Sequence, residues 1–335
     1  MLDKNLKYTS RFIARLLVCL VLFSTYGCQS TDKGKFIAIG TSTKSGVYYP
    51  VAREICNLLN SGRETHLIRC LATESGGSIY NIPAIATGEL DVALTRAGLA
   101  HKAFRGEEMF KAYGANTSLR LISILYSQPV SIIVKQESNI QKFNEIKGKR
   151  VNLGNLGSGK RGISELLLEV MNWSHSDFSE VYELNTSNMG KAFCSDKVDV
   201  LIEAIGMPSK FLDRMVNDCK GRFVDISDDV VELIRQKGPF YTPGIIPKKF
   251  YPTQEKDVRT FNVNVVLISS ARVNDATIYE LTKAIFGDVK KLKKIHQVFS
   301  NMMPHSMVDQ VPSIPYHDGA LRYFKEHGLF LPSKL

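Results

Sequence analysis

The chain has 335 residues, 44% hydrophobic and 23% charged, with 24 glycines and 12 prolines. That length suits two packed lobes rather than one small core, and the ordinary composition excludes collagen-like, coiled-coil, disulfide-miniprotein and wholly disordered chains. The net charge is +10, spread without a block of five like charges or an arginine–aromatic stripe, which argues against nucleic acid as a partner and leaves room for anionic small molecules or a membrane face.

Lys4, Lys7, Arg11 and Arg15 precede the apolar run Leu16-Leu17-Val18-Cys19-Leu20-Val21-Leu22-Phe23. This is the pattern of a signal peptide, and the run falls far short of the roughly 20 residues a spanning helix needs. Thr25-Tyr26-Gly27-Cys28 follows, and a small residue directly before Cys is similar to a bacterial lipobox, although Thr25 and Tyr26 depart from its usual residues. Residues 1–28 therefore read as an export segment, with Cys28 the candidate for lipidation. The mature protein is expected outside the cytoplasm, periplasmic or anchored to a membrane.

Beyond a linker, Phe36-Ile37-Ala38-Ile39 predicts a strand that enters a Gly/Ser/Thr loop over residues 40–46. Val51, Ile55, Leu58 and Leu59 have helical spacing, and residues 66–71 predict a second strand. Gly76-Gly77-Ser78 opens a helix through Ile79, Ile82, Ile85 and Ala86, and residues 91–95 predict a third strand. This β-α-β-α-β order implies a parallel sheet with crossover helices. Residues 121–134 form a long apolar stretch broken by Gln128-Pro129, a crossing between lobes. A second β/α set follows, with strands at 150–153, 181–184 and 198–202 and a helix around 163–170. Residues 263–268 read as a return strand, and helices near 276–287 and 289–300 and the tail 316–328 rejoin the first lobe. The predicted fold is α/β and two-lobed, each lobe a mainly parallel sheet flanked by helices and the two joined by hinge strands. The expected domains are 32–127 and 269–335 for lobe 1 and 128–268 for lobe 2.

With Cys19 and Cys28 in the export segment, Cys56, Cys70, Cys194 and Cys219 remain. An even count in an oxidising compartment suggests disulfides. Three pairings are possible, and sequence locality favours Cys56–Cys70 with Cys194–Cys219. No C-x-x-C spacing suggests zinc.

Ligands of parallel α/β sheets sit beyond the carboxyl ends of strands, where loops enter helix N-termini. Residues 40–50, Gly76-Gly77-Ser78 with Asn81 one turn on, and Gly154-Asn155-Leu156-Gly157-Ser158-Gly159 occupy such places. Glycine lets a ligand approach the backbone, and helix N-terminal N–H groups favour anions. Two such loops facing each other would hold a small carboxylate, whereas each alone is also an ordinary helix cap. Gly154-x-x-x-x-Gly159-Lys160 nearly spells a phosphate-binding loop, but Arg161 stands where Ser or Thr must hold Mg²⁺. Seven histidines form no His-x-x-x-His pair, and no Gly-x-Ser-x-Gly elbow occurs. Neither an enzyme nor a cofactor or metal is indicated.

Several motifs recur in a fixed order. They are Gly40-x-x-x-x-x-Gly46-Val47-Tyr48-Tyr49-Pro50, Glu74-Ser75-Gly76-Gly77-Ser78-x-x-Asn81 and Lys147-Gly148-Lys149-Arg150-Val151-Asn152-Leu153-Gly154-x-x-Gly157-Ser158-Gly159. Lys197-Val198-Asp199, Tyr241-x-Pro243, Val258-Arg259-Thr260-Phe261, Ile278-Tyr279-Glu280-Leu281-Thr282 and Pro315-x-His317-x-Gly319-Ala320 follow. Together, over residues 36–330, they resemble the TAXI family of solute receptors of TRAP transporters. The resemblance implies a type II periplasmic binding protein fold that closes on a small carboxylate, glutamate-like or a dicarboxylate, and passes it to a membrane-embedded TRAP permease. It also implies paired cysteines at the positions of Cys56, Cys70, Cys194 and Cys219. Carried over residue by residue, Thr43, Gly46, Val47, Tyr48, Gly77, Ser78, Asn81, Gly157, Ser158, Gly159 and Arg161 should line the cleft, with Gly206 and Tyr241 at the second lobe's rim. The chain departs from the family at Thr95-Arg96-Ala97, where many relatives carry Gln-Ser-Asp, and at Lys248-Lys249 and Asp318. Arg96 can hold a carboxylate with two charge-assisted bonds, which suggests a second anionic group on the ligand. A surface arginine paired to a neighbouring acid is the bland reading of the same residue. The altered segment also leaves a second function open, a sensor or interaction lipoprotein on the same fold that is not coupled to transport.

Overall fold

The computed structural model describes residues 34–44, 46–295, 297–299, 302–308 and 312–330. The expected signal segment and Cys28 lie outside the described residues. The fold described below begins at Phe36.

Ten strands form one continuous sheet: β1 Phe36–Gly40, β2 Arg69–Thr73, β3 Val92–Arg96, β4 Leu119–Lys135, β5 Arg150–Asn152, β6 Glu180–Tyr182, β7 Val200–Ala204, β8 Gly221–Val224, β9 Tyr241–Ile246 and β10 Val258–Ser270. The order along it is β2-β1-β3-β10-β4-β7-β5-β6, with β8 added on β4 and β9 on β10. Two parallel cores result, β2-β1-β3 and β6-β5-β7, each bordered by one long antiparallel strand. β10 borders the first and β4 the second.

The long strands also tie the halves together. β4 pairs with β10 over Leu119–Pro129 and then turns to β7 and β8 from Val130 onward. Pro129 lacks the N–H that a continuing ladder would need, so the change of partner falls at the Gln128-Pro129 step that breaks the apolar run. Past that point Thr260 Oγ1 donates to Val130 O at 2.6 Å and keeps the two strands together. β10 changes partner in the same region, from β9 at Val258–Val263 to β3 from Val265.

The helices are α1 Tyr48–Ser61, α2 Ser78–Thr87, α3 Ala97–Arg105, α4 Gly159–Met171, α5 Thr186–Cys194, α6 Lys210–Asn217, α7 Asp228–Arg235, α8 Asp275–Gly287, α9 Val289–Ile295 and α10 Asp318–Glu326. One hydrophobic core spans both halves of the sheet, and a smaller one gathers Met189, Phe193, Leu201, Met215, Phe223 and Tyr251 in the second half. The C-terminal segment returns to the first half, where His317 N–H donates to Leu121 O at 2.8 Å and α10 packs on α8.

Cys56–Cys70 joins α1 to β2, and Cys194–Cys219 joins the end of α5 to the residue two beyond α6. Of the three possible pairings, the local one forms. The second strand differs from the sequence expectation of 66–71. Residues Arg63–His66 close a helical turn in which His66 Nε2 meets Leu59 O at 3.0 Å and Nδ1 accepts from Ile68 N–H, so β2 starts only at Arg69. Helices α3, α5, α6 and α7 and strands β8 and β9 are additions to the pattern read from the sequence.

Candidate functional site

The site forms where the carboxyl ends of β1, β3 and β7 and the N-termini of α1, α2 and α4 meet. Gly77 precedes α2 with φ +95°, a backbone region that glycine enters without steric cost, and offers no side-chain cap. Ser78 opens the helix and is buried, its Oγ 3.2 Å from the Tyr48 hydroxyl and its carbonyl accepting from Thr95 Oγ1 at 3.1 Å. Val47 and Tyr48, at the start of α1, are buried too, whereas Thr43 is exposed and Gly46 half-buried, its N–H donating to Thr43 O. Burial raises the Tyr48 pKa above 10, opposed by the nearby Arg96 charge and the Ser78 hydrogen bond, so the phenol is neutral.

Arg96 ends β3 and is only 6% exposed. Its Nη2 donates to the Ala204 carbonyl at the end of β7 (2.7 Å) and its Nε to Gln128 Oε1 at the strand crossing (3.3 Å). Both acceptors are neutral. Among the described residues the other buried basic side chains are Lys102, Lys160 and Arg161, and each meets a carboxylate: Glu108, Glu203, and Glu165 with Glu183. Arg96 has no such partner among the described residues, so the bland reading of a surface arginine paired to an acid is replaced by a buried cation with neutral neighbours. Burying a charge without a counter-ion is costly.

The second half comes directly onto this arginine. A Cβ at Gly159, the first residue of α4, would lie 1.9 Å from Arg96 Nη1 and 2.8 Å from Ser78 Oγ, so a larger residue here would have to displace the arginine and the serine hydroxyl. Next to it Ser158 caps α4, its Oγ accepting from Arg161 N–H at 3.3 Å. Gly157 has φ +78° and open space around it. Gly206 lies against Val47 and Val298, between the two halves. The glycine-containing loops of the two halves, apart in sequence, thus meet at Arg96, Ser78 and Gly159.

Three sequence candidates point their polar groups elsewhere. Asn81 is fully buried, its Nδ2 donating to Thr41 O and Leu94 O (2.8 Å each) and its Oδ1 accepting from Ser75 Oγ, so it staples β1 to β3 beneath the loop. Arg161 is held by Glu165 and Glu183 on the far side of α4's first turn. Tyr241 is not at a rim: its ring packs on Phe240 and Phe261, and its hydroxyl lies so close to Gly98 of α3 that a Cβ there would sit 2.4 Å from it. Burial drives the Tyr241 pKa well above 10, so it is a neutral packing group between the halves.

The sequence reading missed Gln128, Tyr126, Lys160 and Glu203. Gln128 and Tyr126 are buried along the crossing strand, 3.5 Å apart through Nε2 and the hydroxyl. Lys160 runs over Gly154, where a Cβ would lie 2.2 Å from its Cγ, and reaches Glu203 Oε2 at 2.9 Å inside the protein. The apolar strand pattern of Leu201-Ile202-Glu203-Ala204 was the available signal, because an acid inside such a run must find a partner. No cluster of three or more His, Cys, Asp or Glu side chains able to hold a metal occurs among the described residues, and no helix among them is long and apolar enough to cross a membrane.

The mixed α/β fold, a mainly parallel sheet flanked by helices, is shared with solved proteins at low identity. MatC from Rhodopseudomonas palustris, with bound malate, aligns at TM-score 0.54 and 12% identity, covering 88% of this chain and 96% of that one. XAC2383 from Xanthomonas citri, bound to ATP, aligns at TM-score 0.50 and 13% identity over 88% of this chain and 97% of its own. The alkanesulfonate-binding protein SsuA from Xanthomonas axonopodis pv. citri, bound to MOPS, gives 0.49 and 16% over 90% and 86%. At these identities the likeness is one of fold. Residues 39–328 match the NMT1-like family, nearly the whole described chain, and the protein belongs to that family.

Proposed function

We propose that the protein is an extracytoplasmic receptor that captures a small carboxylate between the two halves of its sheet, without catalysis. The observation that carries this reading is Arg96, a buried guanidinium whose described partners are all neutral, facing the N-terminus of α4 across Gly159. A carboxylate there takes charge-assisted bonds from Arg96 and backbone N–H groups of α4, where the helix dipole adds to the attraction. The same fold holds malate in MatC, so the architecture accommodates a small organic acid.

The halves then act as lobes hinged where β4 and β10 exchange partners, and a bound ligand holds them together at Arg96 and the N-terminus of α4. The sequence resemblance extends the proposal to delivery of the ligand to a TRAP-type permease, with residues 1–28 directing export and Cys28 carrying a lipid anchor. Metabolic lipid labelling that disappears in Cys28→Ser tests the anchor separately.

The test of the site is a thermal-shift and calorimetric screen of small mono- and dicarboxylates against the oxidised protein and Arg96→Gln. A ligand at about one hundred times its dissociation constant adds about 2.7 kcal/mol of stability. Losing the arginine from a buried charge pair costs about 2–5 kcal/mol of binding. A carboxylate that binds wild type and Arg96→Gln equally would overturn the assignment.

A further inference from the structure

Beside Arg96 lies a second buried charge group that the proposed capture of a carboxylate does not use. Glu203 and Lys160 are 4% and 6% exposed and stand 2.9 Å apart. That contact lacks hydrogen-bond geometry, and Glu203 Oε2 has no hydrogen-bond partner among the described residues. Lys160 Nζ instead donates to Thr186 Oγ1 at 2.5 Å and approaches Met189 Sδ at 3.6 Å. The other oxygen, Oε1, accepts from Ala204 N–H at 3.0 Å, and the Ala204 carbonyl accepts from Arg96. Directly across the strand pair from Glu203, Ser131 places a second buried polar atom, a hydroxyl, that has no partner among the described residues. Glu203 and Arg96 both act on the charge of the Tyr48 hydroxyl, which places Glu203 in electrostatic reach of the same group of side chains.

Buried polar atoms without partners are rare in folded proteins, and two facing each other beside an uncompensated cation need a reason. The charges supply one. Arg96 and Lys160 are positive and Glu203 negative, so the cluster carries one net positive charge, which a single carboxylate neutralises. A second carboxylate would leave an unbalanced anion in a low-dielectric site, and an ammonium group an unbalanced cation. What Glu203 Oε2 and Ser131 Oγ lack is a neutral group that both donates and accepts a hydrogen bond. Resting on the carboxylate reading above, we propose that Glu203 is a specificity-determining residue that selects a hydroxyl-bearing monocarboxylate over plain, amino- and dicarboxylates.

The test is titration calorimetry of the full oxidised chain with lactate, propionate, alanine and succinate. The expected result is lactate binding at least about 10-fold more tightly than each of the other three. In Glu203→Gln the net charge of the cluster rises by one, so succinate should gain at least about 10-fold relative to lactate. Because that change leaves Lys160 unpaired, the double variant Lys160→Met/Glu203→Met provides a second reading. It removes both charges with similar volume, and it should bind propionate through Arg96 while losing the lactate preference. Equal binding of lactate and propionate by wild type, or a mono- to dicarboxylate ranking unchanged in Glu203→Gln, overturns the role of Glu203 and leaves the carboxylate reading standing. Binding of none of the four, nor of any acid in the wider screen, overturns both.

Discussion

The two halves of the sheet are built alike and finished differently. In each, an aspartate preceding the innermost parallel strand accepts a backbone N–H from its neighbour: Asp91 Oδ2 from Ala38 and Asp199 Oδ2 from Arg150, both at 2.9 Å. In each, a helix opens at a glycine-containing loop past a strand's carboxyl end. In the second half Ser158 caps α4 in the ordinary way, whereas in the first half Gly77 leaves α2 without a side-chain cap and Ser78 turns to Tyr48. The strand ends differ more. β3 finishes in Thr95-Arg96, and β7 finishes in Glu203-Ala204. The shared features build the scaffold, and the departures put one arginine and one glutamate on opposite sides of the place where the halves meet.

Loss of a disulfide in either half is the largest expected effect. Cys194→Ser/Cys219→Ser opens a 25-residue separation and Cys56→Ser/Cys70→Ser one of 14. On the chain-entropy argument each pair contributes about 3 kcal/mol, the longer loop about 0.5 kcal/mol more. Urea denaturation of the two double variants measures this, and a larger loss in the first half would show that the denatured chain is already compact across the Cys194–Cys219 loop.

Gly159→Ala and Gly157→Ala separate contact from backbone freedom within one loop. The first pushes a methyl against Arg96 and Ser78, and is expected to weaken carboxylate binding by about 2–3 kcal/mol. The second meets no atom within 4 Å but sits at φ +78°, so it should cost about 1 kcal/mol of stability and leave affinity within a few-fold. Calorimetry and melting curves on both resolve the two effects, and equal affinities would remove Gly159 from the site.

Ser158→Ala removes a helix cap that the first half lacks, with an expected loss of about 1 kcal/mol in chemical denaturation. The smallest effect concerns pH. His317 caps α10 with Nδ1, which accepts from Gly319 N–H at 3.2 Å, while its Nε2 donates to Val273 O at 3.0 Å. Burial holds its pKa below 6.5, against the pull of Asp275 at 3.6 Å. The unfolded chain therefore takes up the proton first. The stability due to this histidine is full above pH 6.5 and is lost as pH falls from there toward the folded value. Melting temperatures at pH 7.5 and 5.5 should fall more for wild type than for His317→Gln.

Much of the scaffold was legible in the sequence. Strands β1, β3, β5 and β7 are short apolar runs ending at polar loops, the apolar stretch 263–268 marks the middle of the long β10, and Gln128-Pro129 marks the crossing because proline interrupts a ladder. Local cysteine spacing selected the pairing that forms. The short second-half helices α5, α6 and α7 were harder to read, because fewer than ten residues carry little periodic signal. The site was only half legible. The glycine loops announce themselves by composition, but nothing in the spacing shows that Asn81 and Arg161 are already committed to partners. Tyr241 looks like a rim residue until Gly98 of α3 is found against it.

By itself the sequence determined the β/α alternation, the two parallel cores and the loops where ligands of such sheets bind, since these follow from periodicity, turn residues and local spacing. Only the tertiary structure decided which charges meet. Arg96 and Ala204 are 108 positions apart, and Lys160 and Glu203 belong to different elements. An arginine's meaning depends on whether a carboxylate lies within 4 Å of it, and that is set by the packing of one half on the other.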